Sequence, residues 1–316
     1  MKKHLIAAAV VSVFAAPAMA QNVQVYGNVE AGYLFNDTDN ASSTTNVVGR
    51  DVVNSSRLGF RGTEDLGGGL KAFFRLESSL DASDGGLGSG NGTAGGANFF
   101  DRGAEVGLSG AFGAVKVGKF DMTGTEGIDS AVSQFGNVGI FSGVDIGSDR
   151  DGSIQYQTPT IAGWYAQVAH SSSDNSGVNR TNSLFVDGKL AGITVKLGYS
   201  EESITSVEQK QKVVGLAYDF GMLQAGLAYT KNDKGTAADQ TQTNLTAKIP
   251  LANGLAVHGA YLVRETTGSA DTKISALGLS KGLSKRTTGY LALRSTDNPQ
   301  GTNDSTEYYI AVNHAF

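Results

Sequence analysis

The chain lacks several features by which common protein classes are recognised. It has no cysteine among its 316 residues, which excludes disulfides and cysteine-based catalysis or metal binding. It also has only 4 prolines. After residue 20 no apolar run reaches about 18 residues, the length at which a transmembrane helix is predicted. Few segments have the helical apolar period, whereas glycine is abundant, with 43 residues. These properties favour a β-rich chain, which can still enter a membrane as strands.

Basic residues are also scarce, and they are scattered singly. The first twenty residues, MKKHLIAAAVVSVFAAPAMA, have a basic start, an apolar run and small residues at Ala18 and Ala20, which is typical of a secretory signal. We predict a cleavable signal peptide at 1–20 and one mature domain at 21–316. Cleavage removes two lysines, so 23 basic residues (25 − 2) face 30 acidic ones, a formal charge of −7. Without a basic stripe, nucleic-acid binding is excluded.

Alternation of apolar and polar residues recurs along the mature chain. In QVYGNVEAGYLF, Val25 and Tyr33 share one face, while Gln24 and Glu30 share the other. The last ten residues, EYYIAVNHAF, alternate in the same way up to the final phenylalanine. Such segments are about 10 residues long, the length of a tilted strand that crosses a bilayer, and we count roughly sixteen of them.

Short and long connections also alternate. Tight turns such as EDLGGGLK and LANGLAV are followed by long polar segments such as DASDGGLGSGNGTAGGAN, SSSDNSGVNR and KNDKGTAADQ. Short turns at one rim and long loops at the other are typical of outer-membrane barrels. The sequence therefore predicts an all-β fold, a transmembrane antiparallel β-barrel of about 16 strands.

Several strings resemble the trimeric general porins of Gram-negative outer membranes, of the sixteen-stranded type common in beta-proteobacteria. They are VQVYGNVEAG, SSRLGFRGTEDLGGGLKAFFRLE, VGLSGAFGAVKVGKFD, GLSKGLSKRTTGYLAL and the terminal NHAF. The resemblance covers residues 23 to 316. It implies an outer-membrane homotrimer, in contact with lipid and lipopolysaccharide, that passes ions and small hydrophilic solutes without a cofactor. It also implies that the last strand pairs with the first, and that His314 and Phe316 are recognised by the barrel assembly machinery.

A long segment between the strands AVKVGKF and SIQYQTP interrupts the pattern. The resemblance implies that this loop, at about 120–152, folds into the lumen as a constriction loop. Its charges are mostly acidic, against Arg150 alone. The predicted loop acids are Asp121, Glu126, Asp129, Asp145, Asp149 and Asp151.

The family commonly carries an arginine cluster on the wall opposite this loop. Strand parity places Arg57, Arg61, Arg75 and Lys116 in the lumen. Parity alone directs Arg102 outward, so a bulge or a loop position is needed to turn it inward. Gln155 stands where the family often has a further arginine. The predicted constriction wall is Arg57, Arg61, Arg75, Arg102, Lys116 and Gln155.

Acids on the loop facing bases on the wall predict a transverse field, which favours polar solutes. With an arginine missing at position 155, we expect weak ion selectivity that leans towards cations. Enzyme functions are disfavoured: the mature chain has three histidines (His170, His258 and His314) without zinc-ligand spacing, and no GxSxG elbow. We predict no catalytic, metal or cofactor site. The predicted function is a general diffusion porin, with a substrate-specific channel or a surface adhesin on the same scaffold as alternatives.

Overall fold

The computed structural model describes residues 23–39, 44–48, 53–88, 98–122, 150–172, 178–204, 207–235, 237–298 and 304–316. The predicted signal peptide lies outside these ranges. No helix within them is long and apolar enough to cross a membrane. The strands are β1 (Gln24–Thr38), β2 (Thr44–Val48), β3 (Arg57–Gly67), β4 (Leu70–Ser79), β5 (Gly103–Gly110), β6 (Gly113–Phe120), β7 (Arg150–Gln157), β8 (Tyr165–Ser172), β9 (Val178–Leu190), β10 (Ile193–Ile204), β11 (Val207–Asp219), β12 (Gln224–Asp233), β13 (Gln240–Pro250), β14 (Leu255–Thr266), β15 (Thr272–Gly282), β16 (Thr287–Asp297) and β17 (Ser305–Ala315). A 3-10 turn (Ala252–Gly254) precedes β14.

The strands close into one antiparallel barrel. Each strand from β3 to β17 pairs with the next, and β1 pairs with β17 to complete the circuit. The other edge of β1 is long enough to pair with both β2 and β3, which therefore share one position around the barrel. The barrel thus has sixteen strand positions, which confirms the predicted fold. The pairing of the first strand with the last leaves no open edge at the ends of the sheet, as a hydrocarbon environment demands.

The burial of the two strand faces is opposite to that in a soluble protein, because the apolar face is exposed and the other face is buried. Tyr308 and Ile310 on β17 are 51% and 55% exposed, whereas Tyr309 and Ala311 between them are 8% and 2% exposed. The exposed parity is apolar on most strands, and an apolar outward band is what lipid contact requires. The inward parity is largely polar. The faces predicted for β1, β3 and the last strand are confirmed.

Connections at one end of the barrel are tight. Gly68 and Gly69 join β3 to β4 with φ angles of +61° and +82°, a left-handed conformation that glycine adopts without steric cost. At the other end, the connections between β4 and β5 and between β6 and β7 are long. The prediction of strict alternation was wrong in its later part, because β10 ends at Ile204 and β11 begins at Val207. Pairing between β10 and β11 continues up to Ile204 and Val207, through polar sequence that is typical of a loop.

Candidate functional site

Strands β3 to β6 bring a row of charged side chains together on the inner face. The register places Arg61 opposite Arg75, and Arg75 opposite Glu105. Residues directly opposite each other in an antiparallel pair share a face of the sheet. Lys116 lies opposite Gly107, two residues beyond Glu105, and therefore shares that face too. Four neighbouring strands thus present charges to one region of the lumen.

Glu105 is the centre of one group in this row. Its carboxylate accepts from the Nε of Arg75 at 3.1 Å and from the Nζ of Lys116 at 2.9 Å. The Lys116 ammonium also lies 4.1 Å from the centroid of the Phe120 ring, within the range of a cation–π contact. One half-buried lysine and one arginine are therefore held against the wall by a single carboxylate.

Glu77 is the centre of a second group. It accepts from the Nε of Arg102 at 2.9 Å and from the hydroxyl of Tyr26 at 2.7 Å. Guanidinium nitrogens of Arg57 and Arg75 lie 3.9 Å and 3.8 Å from its carboxylate oxygens. Arg75 therefore links the two groups, since it contacts both glutamates.

The cluster carries a net positive charge, because it contains five cations and two carboxylates, which leaves three positive charges (5 − 2). Arg61 has no carboxylate contact among the described ion pairs; its Nε donates to Gln24 at 2.9 Å, and its guanidinium lies 4.8 Å from the Tyr26 ring centroid. We call this cluster the charged wall. Its members are Arg57, Arg61, Arg75, Arg102, Lys116, Glu77 and Glu105.

Arg102 and Glu105 show what strand parity could and could not predict. Arg102 precedes β5, so strand parity does not govern it, and its backbone N–H donates to the Glu77 carbonyl at 3.2 Å. This loop position turns its side chain inward, which is one of the two options that the sequence left open. Glu105 was missed, although its parity is opposite to that of the outward Val106 and Leu108. The signal was present in the alternation of β5.

Gln155 lies on the inner face of β7, opposite Lys116. It is 6% exposed and begins a sector of uncharged hydroxyl and amide side chains that continues around the lumen, interrupted on β10 by the buried charged residues Lys196 and Glu202. Sequence reasoning did not separate this sector from the charged wall. Its buried members are Ser153, Gln155, Ser171, Thr181, Ser183, Ser200, Gln211, Thr230, Asn232, Gln242, Asn244 and Thr246.

The chain turns inward directly after β6. The Ser183 hydroxyl, on the inner face of β9, donates to the Met122 carbonyl at 2.5 Å. The Ser153 hydroxyl lies 3.1 Å from the Met122 sulfur, and the Met122 side chain is 1% exposed. Phe120 and Ala169 pack with Met122 in a buried cluster. The first described residues of the predicted constriction loop therefore lie inside the barrel.

The predicted loop acids have different positions. Asp121 is half-buried at this inward turn. Asp151 lies on β7, and its carboxylate accepts from the Nζ of Lys119 at 3.0 Å. Lys119 is opposite Ala104, which has the outward parity of β5, so this ion pair lies away from the charged wall. Glu126, Asp129, Asp145 and Asp149 lie outside the described residues, and their role stays a prediction.

The end of the chain lies at the barrel seam. His314 is opposite Val29, and its Nδ1 lies 2.9 Å from the hydroxyl of Thr287 on β16. Phe316 exchanges backbone hydrogen bonds with Gly27. The pairing of the last strand with the first, predicted from the resemblance, is therefore confirmed as part of the fold.

Comparisons with known sequences match the chain along its whole barrel. The sequence profile of the family described as Gram-negative porin matches residues 7–316. Outer membrane porin protein 32 of Delftia acidovorans is 29% identical, over 92% of this chain and 88% of its own length. An outer membrane porin protein of Bordetella pertussis is 28% identical, over 92% of this chain and 93% of its own length. The matched length spans every strand described above.

Comparisons with solved structures agree with the sixteen-strand barrel. The anion-selective porin from Comamonas acidovorans is similar with a TM-score of 0.75 at 25% identity, covering 94% of this chain and 100% of that one. OmpF of Salmonella typhi, solved as a complex with daunomycin, has a TM-score of 0.74 at 15% identity, covering 93% and 97%. The second likeness concerns the fold alone.

Proposed function

The chain belongs to the Gram-negative porin family, and on that premise we propose how its barrel conducts. The protein is a general diffusion channel of the outer membrane, through which ions and small hydrophilic solutes pass without a cofactor or energy input. The observation that carries this function is the closed barrel with an apolar outside and a polar, charged inside. Its family and fold are those of a channel and not of an enzyme.

The charged wall is proposed as one side of the constriction. Its three net positive charges face the lumen from β3 to β6, and Met122, the last described residue before the predicted loop acids from Glu126 onwards, lies in the same lumen against β7 to β9. The acids predicted on that loop supply the opposite sign. A field between them orients the dipoles of polar solutes and disfavours apolar ones.

Ion selectivity is proposed to be weak and to lean towards cations. Five loop acids remain once Asp151 is assigned to its pair with Lys119, and Arg150 leaves them at −4 (1 − 5). The loop charge of −4 and the wall charge of +3 together give the constriction a net charge of −1. The Comamonas porin is named anion-selective. In this chain, Glu77 and Glu105 neutralise part of the wall, and Gln155 adds no positive charge.

Assembly and export are also proposed on the basis of the family. The mature chain, 21–316, is proposed to form a homotrimer in contact with outer-membrane lipid and lipopolysaccharide. His314 and Phe316 are proposed as the signal for the barrel assembly machinery, since both lie at the seam with outward parity and Phe316 is 42% exposed. Residues 1–20 are proposed as the cleaved signal.

Liposome swelling tests the proposed function. Vesicles that contain the folded protein are diluted into iso-osmotic sugars of increasing size, with protein-free vesicles as the control. A general pore gives swelling rates that fall smoothly with solute size. Saturable uptake of one sugar class would instead support a substrate-specific channel, and a folded barrel without any uptake would support an adhesin.

A further inference from the structure

The pairing between β1 and its neighbour is interrupted in the middle of the wall. Gly32 pairs with Val48 on β2, and Asn28 pairs with Arg57 on β3. Three residues, 29–31, separate these pairs along β1, whereas eight residues, 49–56, separate their partners along the chain. The longer side cannot stay in the sheet, so part of it must leave the ladder. Residues 53–56, which we call the inner bulge, are the described part of this excess chain.

The Glu30 carboxylate accepts hydrogen bonds from the inner bulge. Its side chain has the inward parity of β1 and is 0% exposed. One carboxylate oxygen accepts from the backbone N–H groups of Val53 at 2.7 Å and Asn54 at 3.0 Å. The other oxygen lies 3.3 Å from the Asn54 amide nitrogen and 3.5 Å from that of Asn313 on β17. Four N–H donor groups thus converge on one buried carboxylate.

Ser56 replaces the strand partner that Glu30 has lost. Its hydroxyl accepts from the Glu30 backbone N–H at 2.8 Å and donates to the Glu30 carbonyl at 3.2 Å. A buried backbone group without a partner destabilises the fold, so the two hydrogen bonds of the serine make the interruption tolerable. Side chain and main chain of Glu30 are therefore both committed to the inner bulge.

The inner bulge lies inside the barrel. Val53 is 4% exposed and belongs to a buried apolar cluster with Ala276, Ala292, Tyr309 and Ala311, which have the inward parity of β15, β16 and β17. Alanines at these inward positions leave room for the additional chain. The bulge therefore occupies lumen volume beside β15–β17.

The far end of the bulge orients a member of the charged wall. The Ser55 carbonyl accepts from the Nε of Arg57 at 3.3 Å and from the amide of Asn28 at 3.1 Å. The side-chain oxygen of Asn28 accepts from the same Arg57 nitrogen at 3.1 Å. The direction of the Arg57 guanidinium is thus tied to the position of the bulge.

We propose that Glu30 is a positioning residue, which holds the inner bulge in the lumen as a fixed second narrowing and aligns Arg57 with the charged wall. The effect of Glu30 on permeation rests on the proposed channel function. The anchoring of the inner bulge by Glu30 does not depend on that function. A carboxylate is needed because all four converging groups are donors. A glutamine would turn its own amide donors towards them, and alanine would offer no acceptor.

The anchoring is tested by thiol labelling, which the absence of native cysteine makes specific. Val53→Cys places one thiol in the bulge, and its modification by a water-soluble maleimide is timed with Glu30, Glu30→Gln and Glu30→Ala. Thr63→Cys, at an exposed position on β3, controls for general access. We expect slow labelling at position 53 with Glu30, faster with glutamine and fastest with alanine, while position 63 stays unchanged. Equal rates at position 53 in folded variants would overturn the proposal.

The narrowing is tested by conductance and polymer exclusion in planar bilayers. Glu30→Ala is expected to raise single-channel conductance and to admit larger polyethylene glycols than the parent. If Glu30→Ala does not fold, Val53→Asp provides the same test, since a second carboxylate beside Glu30 drives the bulge off the wall without altering β1. Folded variants with parental conductance and cutoff would refute the narrowing. A parent that carries no current refutes the channel function instead, and the labelling result still decides the anchoring.

Discussion

Gly27 and Phe316 close the barrel by exchanging two backbone hydrogen bonds, at 3.0 Å and 3.3 Å. A Cβ added at Gly27 would lie 2.3 Å from the Arg57 carbonyl oxygen and 2.7 Å from the Phe316 ring. The seam therefore has space for the terminal aromatic only because residue 27 has no side chain. The terminal phenylalanine and a glycine near the start of β1 are therefore parts of one contact.

The first prediction concerns that contact. Gly27→Ala is expected to lower the free energy of unfolding by about 1–3 kcal/mol, because backbone and ring must both move to admit a methyl group. Urea unfolding in lipid vesicles measures the change. Gly259→Ala is the matched control, since a Cβ there meets nothing within 4 Å. A Gly27 variant as stable as the control would contradict this account of the seam.

The second prediction concerns the charge of the wall. Glu105→Gln removes the carboxylate between Arg75 and Lys116, so the net charge of the wall rises from +3 to +4. The reversal potential in a salt gradient should shift towards anion preference. The shift is expected to be larger near 0.1 M salt, where the screening length is about 10 Å, than at 1 M, where it is about 3 Å.

Glu265→Gln is the charge-matched control for that experiment. Glu265 is exposed and has the outward parity of β14, so the same loss of negative charge occurs outside the lumen. If both variants shift the reversal potential equally, the effect of Glu105 is not a property of the wall.

The third prediction concerns the missing arginine. Gln155→Arg adds a positive charge opposite Lys116 and should also move the reversal potential towards anions. Gln155→Leu changes the same position without adding charge and serves as its control. An unchanged potential in the arginine variant, with the barrel folded, would remove position 155 from the selectivity of the channel.

The fourth prediction concerns the entrance of the loop into the lumen. Ser183→Ala leaves the buried Met122 carbonyl without its donor, a local cost of about 1–3 kcal/mol. We expect noisier open-channel current, because the start of the loop is held less firmly. Ser200→Ala, directly opposite on β10, is the control. Equal noise in the two variants would show that this hydrogen bond does not steady the loop.

Alternation predicted which residues face the lumen but not which of them meet. The inward positions of Arg57, Arg61 and Arg75 follow from the two-residue period of a strand, which is a local property. Their contacts depend on register between strands, which a local pattern does not specify. The same period turns Glu77 inward with Arg75, but its simultaneous contact with Arg57, Arg75 and Arg102 depends on register and cannot be predicted from it.

The inner bulge illustrates the same limit at the level of the backbone. No sequence pattern placed residues 53–56 in the lumen, and the inward direction of Glu30 was predicted from β1 alone. The contact between Glu30 and residues 53–56 follows from two registers on β1, which pair Gly32 with Val48 and Asn28 with Arg57. Only the alanines at 276, 292 and 311 gave a local hint that the lumen there accommodates additional chain.

The most direct test of the channel is the conductance of folded residues 21–316, the proposed mature chain, in a planar bilayer under a salt gradient. We expect step increases in current that arrive in threes, as in the proposed trimer, with a reversal potential close to zero and on the cation side. A folded, inserted barrel that carries no current would contradict the diffusion channel itself.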